Sequence, residues 1–197
     1  MKRIVITALL TGLVAAPAFA ADAGAFIAVD LGAGSYSDAT VTGGNGESYD
    51  NPGSLSIAGG YHFTPNLGVE AAYSVFGDST VEYPNATTTL KTSVFQVAAV
   101  GTYSFNDKFA VFGKLGLASI SAEESGTATA ASLSGNGKTT NFMFGVGGQY
   151  NFNQHWGIRL QYEDFGKAKY TPYLFGVAQP EAEYGVSVFS VGGVYNF

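Results

Sequence analysis

One five-residue phrase occurs four times in this chain: Gly59-Gly60-Tyr61-His62-Phe63, Gly101-Thr102-Tyr103-Ser104-Phe105, Gly148-Gln149-Tyr150-Asn151-Phe152 and Gly193-Val194-Tyr195-Asn196-Phe197. Side chains two apart share one face of a strand, so each copy sets a Tyr and a Phe side by side at a strand end. Amphipathic aromatics in that place suit a membrane–water boundary. The first three copies run at once into turn formers and a new alternating apolar run: Thr64-Pro65-Asn66 before Leu67, Asn106-Asp107 before Phe109, and Asn153-Gln154 before Trp156. Each of these copies therefore ends one strand and opens the next.

Around these junctions, alternation predicts eight strands, at residues 25–35, 55–63, 67–77, 91–105, 108–121, 141–152, 156–167 and 184–197. The intervening stretches 36–54, 78–90, 122–139 and 168–183 are rich in small, polar and turn-forming residues and read as long loops. Short and long connections alternate strictly, with every short one at the Gly-x-Tyr-x-Phe end. That is the asymmetry of an outer-membrane barrel with tight periplasmic turns and long external loops. The predicted fold class is all-β: an eight-stranded antiparallel up-and-down transmembrane β-barrel with three short periplasmic turns and four long external loops. A propeller of similar period fails, because each repeat holds two strands where a blade needs four.

Composition points the same way. With 46% hydrophobic and 12% charged residues the chain is not intrinsically disordered, and 27 Gly with 14% aromatics favour strands and turns over a helical bundle. The absence of Cys removes any disulfide framework or thiolate metal site. Lys2 and Arg3, the apolar stretch 4–16 and Ala18-Phe19-Ala20 form the pattern of a cleaved secretory signal, leaving residues 21–197 as the barrel domain. No later uncharged run reaches the roughly 18–20 residues of a membrane helix. A membrane form must therefore be a closed barrel, since open sheet edges do not occur in hydrocarbon. Subtracting Lys2 and Arg3 from 9 basic residues leaves 7 against 15 acidic ones, a net charge of −8 that argues against nucleic acid as a partner.

Strand parity sorts the remaining charges. Asp30 lies between Ala28 and Gly32, on the face opposite Ile27, Val29 and Leu31. Glu70, Lys114, Arg159 and Glu163 fall on the same polar parity of their strands, among Gly, Ala, Ser and Gln. Eight strands enclose a lumen that side chains can fill. These five residues are expected to form a packed polar core in which opposite charges pair, because an unpaired buried charge is costly. Glu70 and Arg159, at similar depth, are expected to meet across the lumen and close it.

On these residues the chain resembles the eight-stranded transmembrane domain of OmpA and its small single-domain relatives. Gly157-Ile158-Arg159-Leu160-Gln161-Tyr162-Glu163 is similar to that family's seventh strand with its inward Arg. Leu67-Gly68-Val69-Glu70 is similar to the third strand, whose inward Glu pairs with that Arg. The family's second interior pair, a Lys on strand four and a Glu on strand six, gives way here to Val100 and Gln149, as though both charges were lost together. The resemblance implies an integral multi-pass barrel of the bacterial outer membrane. It also implies that the outward face of the last strand, Phe189, Val191, Tyr195 and Phe197, is the signal read by barrel-assembly machinery. OmpA's peptidoglycan-binding domain has no counterpart in this sequence, so a tethering role is not implied.

No catalytic, cofactor or metal constellation stands out. His62 and His155, the only histidines, lie at the turn end, whereas small barrels that modify lipid A act with His and Ser near the opposite rim. Gly137-Lys138-Thr139 is the tail of a phosphate-loop pattern, but Ser132 replaces its first Gly and the stretch reads as external loop. Asp38, Glu47 and Asp50 have no cation-ligand spacing, and Asn85-Ala86-Thr87 reads as a chance sequon. Lys91, outward at the external end of strand four, reads either as a contact to the anionic headgroup of lipopolysaccharide or as a solvated rim charge. Expected partners are outer-membrane lipid, lipopolysaccharide and, during biogenesis, the barrel-assembly machinery, with the protein itself a monomer. The expected function is non-enzymatic: envelope stabilisation or surface contact through the external loops. A narrow channel for small solutes or apolar molecules is the alternative, and a lipid A-modifying enzyme a distant third.

Overall fold

Three side chains shape the short turns. Thr64 Oγ1 accepts from the amides of Asn66 (3.3 Å) and Leu67 (3.1 Å), and Asn106 Oδ1 accepts from those of Lys108 and Phe109, both at 2.9 Å. Asn153 Oδ1 does the same for His155 and Trp156, again at 2.9 Å. Each turn former thus satisfies amides that the reversing chain would otherwise leave unpaired. The computed structural model describes residues 23–37, 40–41, 51–83, 86–128, 131–174, 177–178 and 182–197. The expected signal segment 1–20, the loop acids Asp38, Glu47 and Asp50, and Asn85 lie outside them.

Eight long strands form the wall: β1 (Gly24–Tyr36), β2 (Gly53–Thr64), β3 (Leu67–Phe76), β4 (Ala86–Ser104), β5 (Phe109–Ala128), β6 (Ala131–Asn151), β7 (Trp156–Leu174) and β8 (Ala182–Asn196). Each pairs antiparallel with its chain neighbour, and β1 pairs with β8 from Phe26↔Asn196 to Tyr36↔Val186, closing the barrel. Short strands Ser79–Tyr83, Thr40–Val41 and Val177–Ala178 extend the external side, pairing with β4, β8 and β7.

Outward and inward faces alternate as the pattern predicts over the turn-side half. Ile27, Val29, Leu55, Ile57, Val97, Leu115, Leu160 and Val191 all point outward and are exposed, an apolar band for lipid to cover. All four copies of the repeat bring their rings together. Tyr61–Phe63, Tyr103–Phe105, Tyr150–Phe152 and Tyr195–Phe197 have centroids 5.1–5.5 Å apart. Trp156 packs edge-on to Tyr195 at 4.9 Å, completing an aromatic girdle at the turn end.

The external excursions are long, as expected, but over their described residues they are mostly strand. The stretch 122–139 is not a loop: β5 runs through Ala128 and β6 resumes at Ala131. Gly137-Lys138-Thr139 therefore lies in β6, with no helix following. The stretch 78–90 holds a hairpin, and β7 continues to Leu174. A spanning strand needs about 9–11 residues, yet β4 to β7 have 19–21. Beyond the membrane the outward face must be polar, so the apolar marks that betray a strand inside the band disappear from that face.

The lumen also departs from the uniform polar core that parity suggests. Its turn-side half holds the charges, but its external half is packed with Tyr36, Phe76, Leu90, Val94, Ile120, Met143, Phe165, Tyr170, Tyr184 and Val186, all buried. Polarity inverts with height: polar inside and apolar outside within the band, apolar inside and polar outside above it.

A bulge in β7 accompanies the inversion. The β7–β8 register shifts between Gly185 and Ser187, and Gly166 opposite adopts φ 76°, a left-handed conformation open to glycine at little cost. The Gly166 backbone amide donates to Asp164 Oδ1 (2.8 Å), and the Asn141 side-chain Nδ2 donates to the carbonyls of Phe165 (3.1 Å) and Lys167 (2.7 Å). Below the bulge the odd-numbered Arg159, Gln161, Glu163 and Phe165 face inward; above it Ala168 and Tyr170 do, and Lys167 and Lys169 face out.

Candidate functional site

Asp30 on β1, Glu70 on β3, Lys114 on β5, and Arg159 and Glu163 on β7 meet in one buried layer. Arg159 binds Asp30 as a fork, Nε to Oδ1 at 2.7 Å and Nη2 to Oδ2 at 2.6 Å, while its Nη1 donates to Glu70 Oε2 at 2.6 Å. Lys114 Nζ donates to Glu70 Oε1 (2.6 Å), Gln161 Oε1 (2.8 Å) and Glu163 Oε1 (3.0 Å). Glu70 therefore bridges both cations. Glu163 also accepts from Gln96 Nε2 at 3.0 Å and from Gln161 Nε2 at 3.3 Å. Such a layer is stable only because nearly every lone pair and proton has a partner.

The layer's second ammonium comes from Lys114 and not from the position of Val100. Val100 lies directly opposite Lys114 in the β4–β5 register, and Gln149 directly opposite Arg159 in β6–β7. The neighbouring strand supplies the ammonium, and Glu163 supplies a further carboxylate. Gln96 and Gln161 complete the network, and parity alone did not single them out. Their signal in the sequence is an amide at an inward position of strands otherwise lined by Ala, Gly and Ser.

Above the charges lies the aromatic plug. Tyr184 meets Tyr36 edge-on at 5.2 Å and Tyr170 at 6.1 Å, Phe76 meets Phe165 at 6.5 Å, and Tyr184 Oη lies 2.9 Å from Thr92 Oγ1. Below the charges, a cavity of about 490 Å³ opens at the turn end. Phe26, Phe112 and Val194 line it, and Glu70, Lys114 and Arg159 form its inner end. Its section of the lumen is a vestibule that stops at the charge layer.

His62 stacks on Phe26 at 4.8 Å beside that vestibule. His155 sits exposed in the last turn, stacked on Tyr195, with Nδ1 2.9 Å from the Asn196 carbonyl. Both are thus at the turn end. Phe189, Val191, Tyr195 and Phe197 share the outward face at and beyond β8, where the Phe197 amide donates to the Ala25 carbonyl (3.0 Å) across the closing seam. Lys91 is exposed on β4, 3.8 Å from Asp78 and directly opposite Glu123. Among the described residues, no cluster of His, Asp and Glu is placed to hold a metal ion.

The profile of the outer membrane protein β-barrel domain family matches residues 6–197. No curated protein sequence matches the chain. Among solved structures, OprG from Pseudomonas aeruginosa superposes with a TM-score of 0.59 at 17% identity, over 89% of this chain and 96% of that one. The neisserial surface protein NspA gives 0.57 at 14%, over 88% and 97%. Ail, the attachment invasion locus protein of Yersinia pestis, gives 0.51 at 17%, over 88% and 99%. At these identities the likeness concerns architecture.

Proposed function

The chain belongs to the outer membrane protein β-barrel domain family, and from that premise we propose that it is a closed, non-enzymatic barrel that stabilises the envelope and contacts other surfaces through its external walls. One observation carries the reading: two unlike barriers fill the lumen in series, a hydrogen-bonded charge layer and an aromatic plug. A conduit would need both to part. The external half, meanwhile, presents a tall polar wall of four strands, each roughly twice the length that spans a membrane.

The rival reading, a narrow channel, draws on the vestibule that reaches the charge layer from the turn end. Planar-bilayer recording of the purified barrel separates the two. Silence at physiological salt is the expected result, and reproducible stepwise conductance would replace the structural reading with the channel. A lipid A-modifying activity remains the weakest reading, because both histidines lie at the end away from the outer leaflet. The partners that fit are outer-leaflet lipid around the band and, in biogenesis, assembly machinery reading Phe189, Val191, Tyr195 and Phe197. The monomer is the form that fits best, since β1 and β8 already satisfy each other's edges.

A further inference from the structure

The outward face of β5 changes character in a single step. Leu115 and Leu117 end its apolar run, and the next outward positions are Ser119, Ser121, Glu123 and Ser125. On β6 the change falls at the same rung, because Phe142 stands directly opposite Leu117 and Thr140 directly opposite Ser119. Phe142 is 87% exposed, so it and Leu117 offer acyl chains their uppermost contact on this seam. Whatever headgroup those chains carry must lie against the polar rungs above.

These rungs form a trough. Neighbouring side chains on this face stand about 5 Å apart across the ladder and about 7 Å apart along a strand. Ser119 lies opposite Phe95 on β4 and Ser121 opposite Lys138 on β6, so short hydroxyls sit between taller side chains. Strand propensity does not call for serine here, since β-branched threonine suits a pleated surface better. Ser119 Oγ is covered yet has no hydrogen-bond partner, although a hydroxyl can donate once and accept twice. Above it, Glu123 and Asn136 stand directly opposite each other, both exposed, and set an acceptor-only carboxylate beside an amide that donates and accepts. At the top, Tyr173 on β7 stands opposite Ser134 and adds an aromatic ring.

Charge narrows the choice of headgroup. Lys91 and Lys138 stand against Asp78 and Glu123, two of each sign, and Lys91 lies 3.8 Å from Asp78. A patch without net charge gives a phosphate little to bind, whereas serine hydroxyls, a carboxylate and an amide match the close-set hydroxyls of a sugar ring. We propose that the trough holds the sugar headgroup of an outer-leaflet glycolipid, whose acyl chains rest on Leu117 and Phe142. One sugar hydroxyl satisfies Ser119 Oγ, and adjacent ones donate to Glu123 and exchange hydrogen bonds with Asn136. The headgroup contact expected at Lys91 thereby becomes a contact of neutral sugar with β5 and β6. Only the placing of the external wall beyond the outer leaflet is taken from the reading above.

The test uses the full barrel in phosphatidylcholine nanodiscs, titrated with digalactosyl diacylglycerol, a neutral glycolipid, or with phosphatidylglycerol of the same chains. Native mass spectrometry reads the lipid retained. Wild type is expected to retain the glycolipid roughly tenfold better than phosphatidylglycerol. Ser121→Tyr, which fills the trough, and E123A/N136A, which removes the facing pair, should each abolish that preference. Both are judged on the folded fraction, which migrates fast on unboiled SDS gels, so a folding defect is not mistaken for lost binding. K138Q, which removes charge and keeps a polar side chain, should behave as wild type. Equal retention of the two lipids by wild type, or a preference unchanged in either trough variant, would overturn the site. So would a loss in K138Q matching that of Ser121→Tyr, which would show charge holding the headgroup. Full displacement by millimolar digalactosyl glycerol would overturn it as well, marking a site for soluble sugar. A silent bilayer with no glycolipid preference rejects the trough alone. Conductance with trough-dependent retention rejects the closed-barrel reading alone.

Discussion

Glu70 is the residue on which the charge layer turns. It is the one carboxylate that accepts from both Lys114 and Arg159, so Glu70→Ala leaves two buried cations sharing what remains. Breaking a buried pair in this way costs about 3–5 kcal/mol. Glu163 stands differently. Three carboxylates face two cations in the layer, and two of Glu163's three donors are the neutral amides of Gln96 and Gln161. Glu163→Gln keeps the shape while removing the surplus charge, so its cost should stay below about 1 kcal/mol, within the worth of one ordinary hydrogen bond. Urea unfolding in lipid vesicles measures both, and a Glu163→Gln penalty matching that of Glu70→Ala would refute this ranking. All five charges were legible in the sequence, because a charge such as Asp30 between outward Val29 and Leu31 has only the lumen to face. Who binds whom was not legible. Partnering across the lumen depends on the stagger of non-adjacent strands, and that is why parity does not show that Glu70 binds Lys114 as well as Arg159.

Among elements, β7 is the one in which the bulge changes which residues face the lumen. Its turn-side half was plain from Trp156, Ile158, Leu160 and Tyr162, which mark the lipid face. Above Gly166 the marks invert, with Ala168 and Tyr170 inward, and a run of Lys, Tyr, Thr and Pro looks like loop when judged by apolar alternation. The same reasoning explains β5, where Ala118, Ile120 and Ala122 are buried while Ser119 and Ser121 are half-exposed. Gly166 carries the transition at φ 76°, with Asn141 packed within 3.2 Å of the place a Cβ would occupy. Gly166→Ala should cost about 1–2 kcal/mol for the left-handed backbone alone. The loss should appear as a lower urea midpoint with an unchanged slope, and a neutral effect would mean that the bulge relaxes freely. Outside the membrane, the Lys167 ammonium holds the Glu183 carboxyl below the usual carboxylate range. The pair's contribution is therefore full above the unfolded carboxylate pKa and fades only as pH falls through the lower folded value.

Across the whole molecule, the closed-barrel proposal implies that the two barriers in series make closure redundant. Replacing Asp30 and Arg159 together by Ser removes one charge of each sign and widens the charge layer, yet the aromatic plug still stands above it. That double variant should remain electrically silent in planar bilayers, as should Tyr184→Ala alone, whereas the three substitutions combined should conduct. Conductance from either partial variant would show that one barrier does all the sealing. The bulge carries a further consequence for anyone who recombines barrels of this architecture. Strands of alternating faces are read in steps of two, so Gly166 acts on β7 as a frameshift acts on codons. A graft that joins a foreign external wall to this base below Gly166 arrives one residue out of frame. It would turn its greasy side chains to water and its ammonium groups into the lumen. A splice made above Gly166 inherits the correct phase without further change.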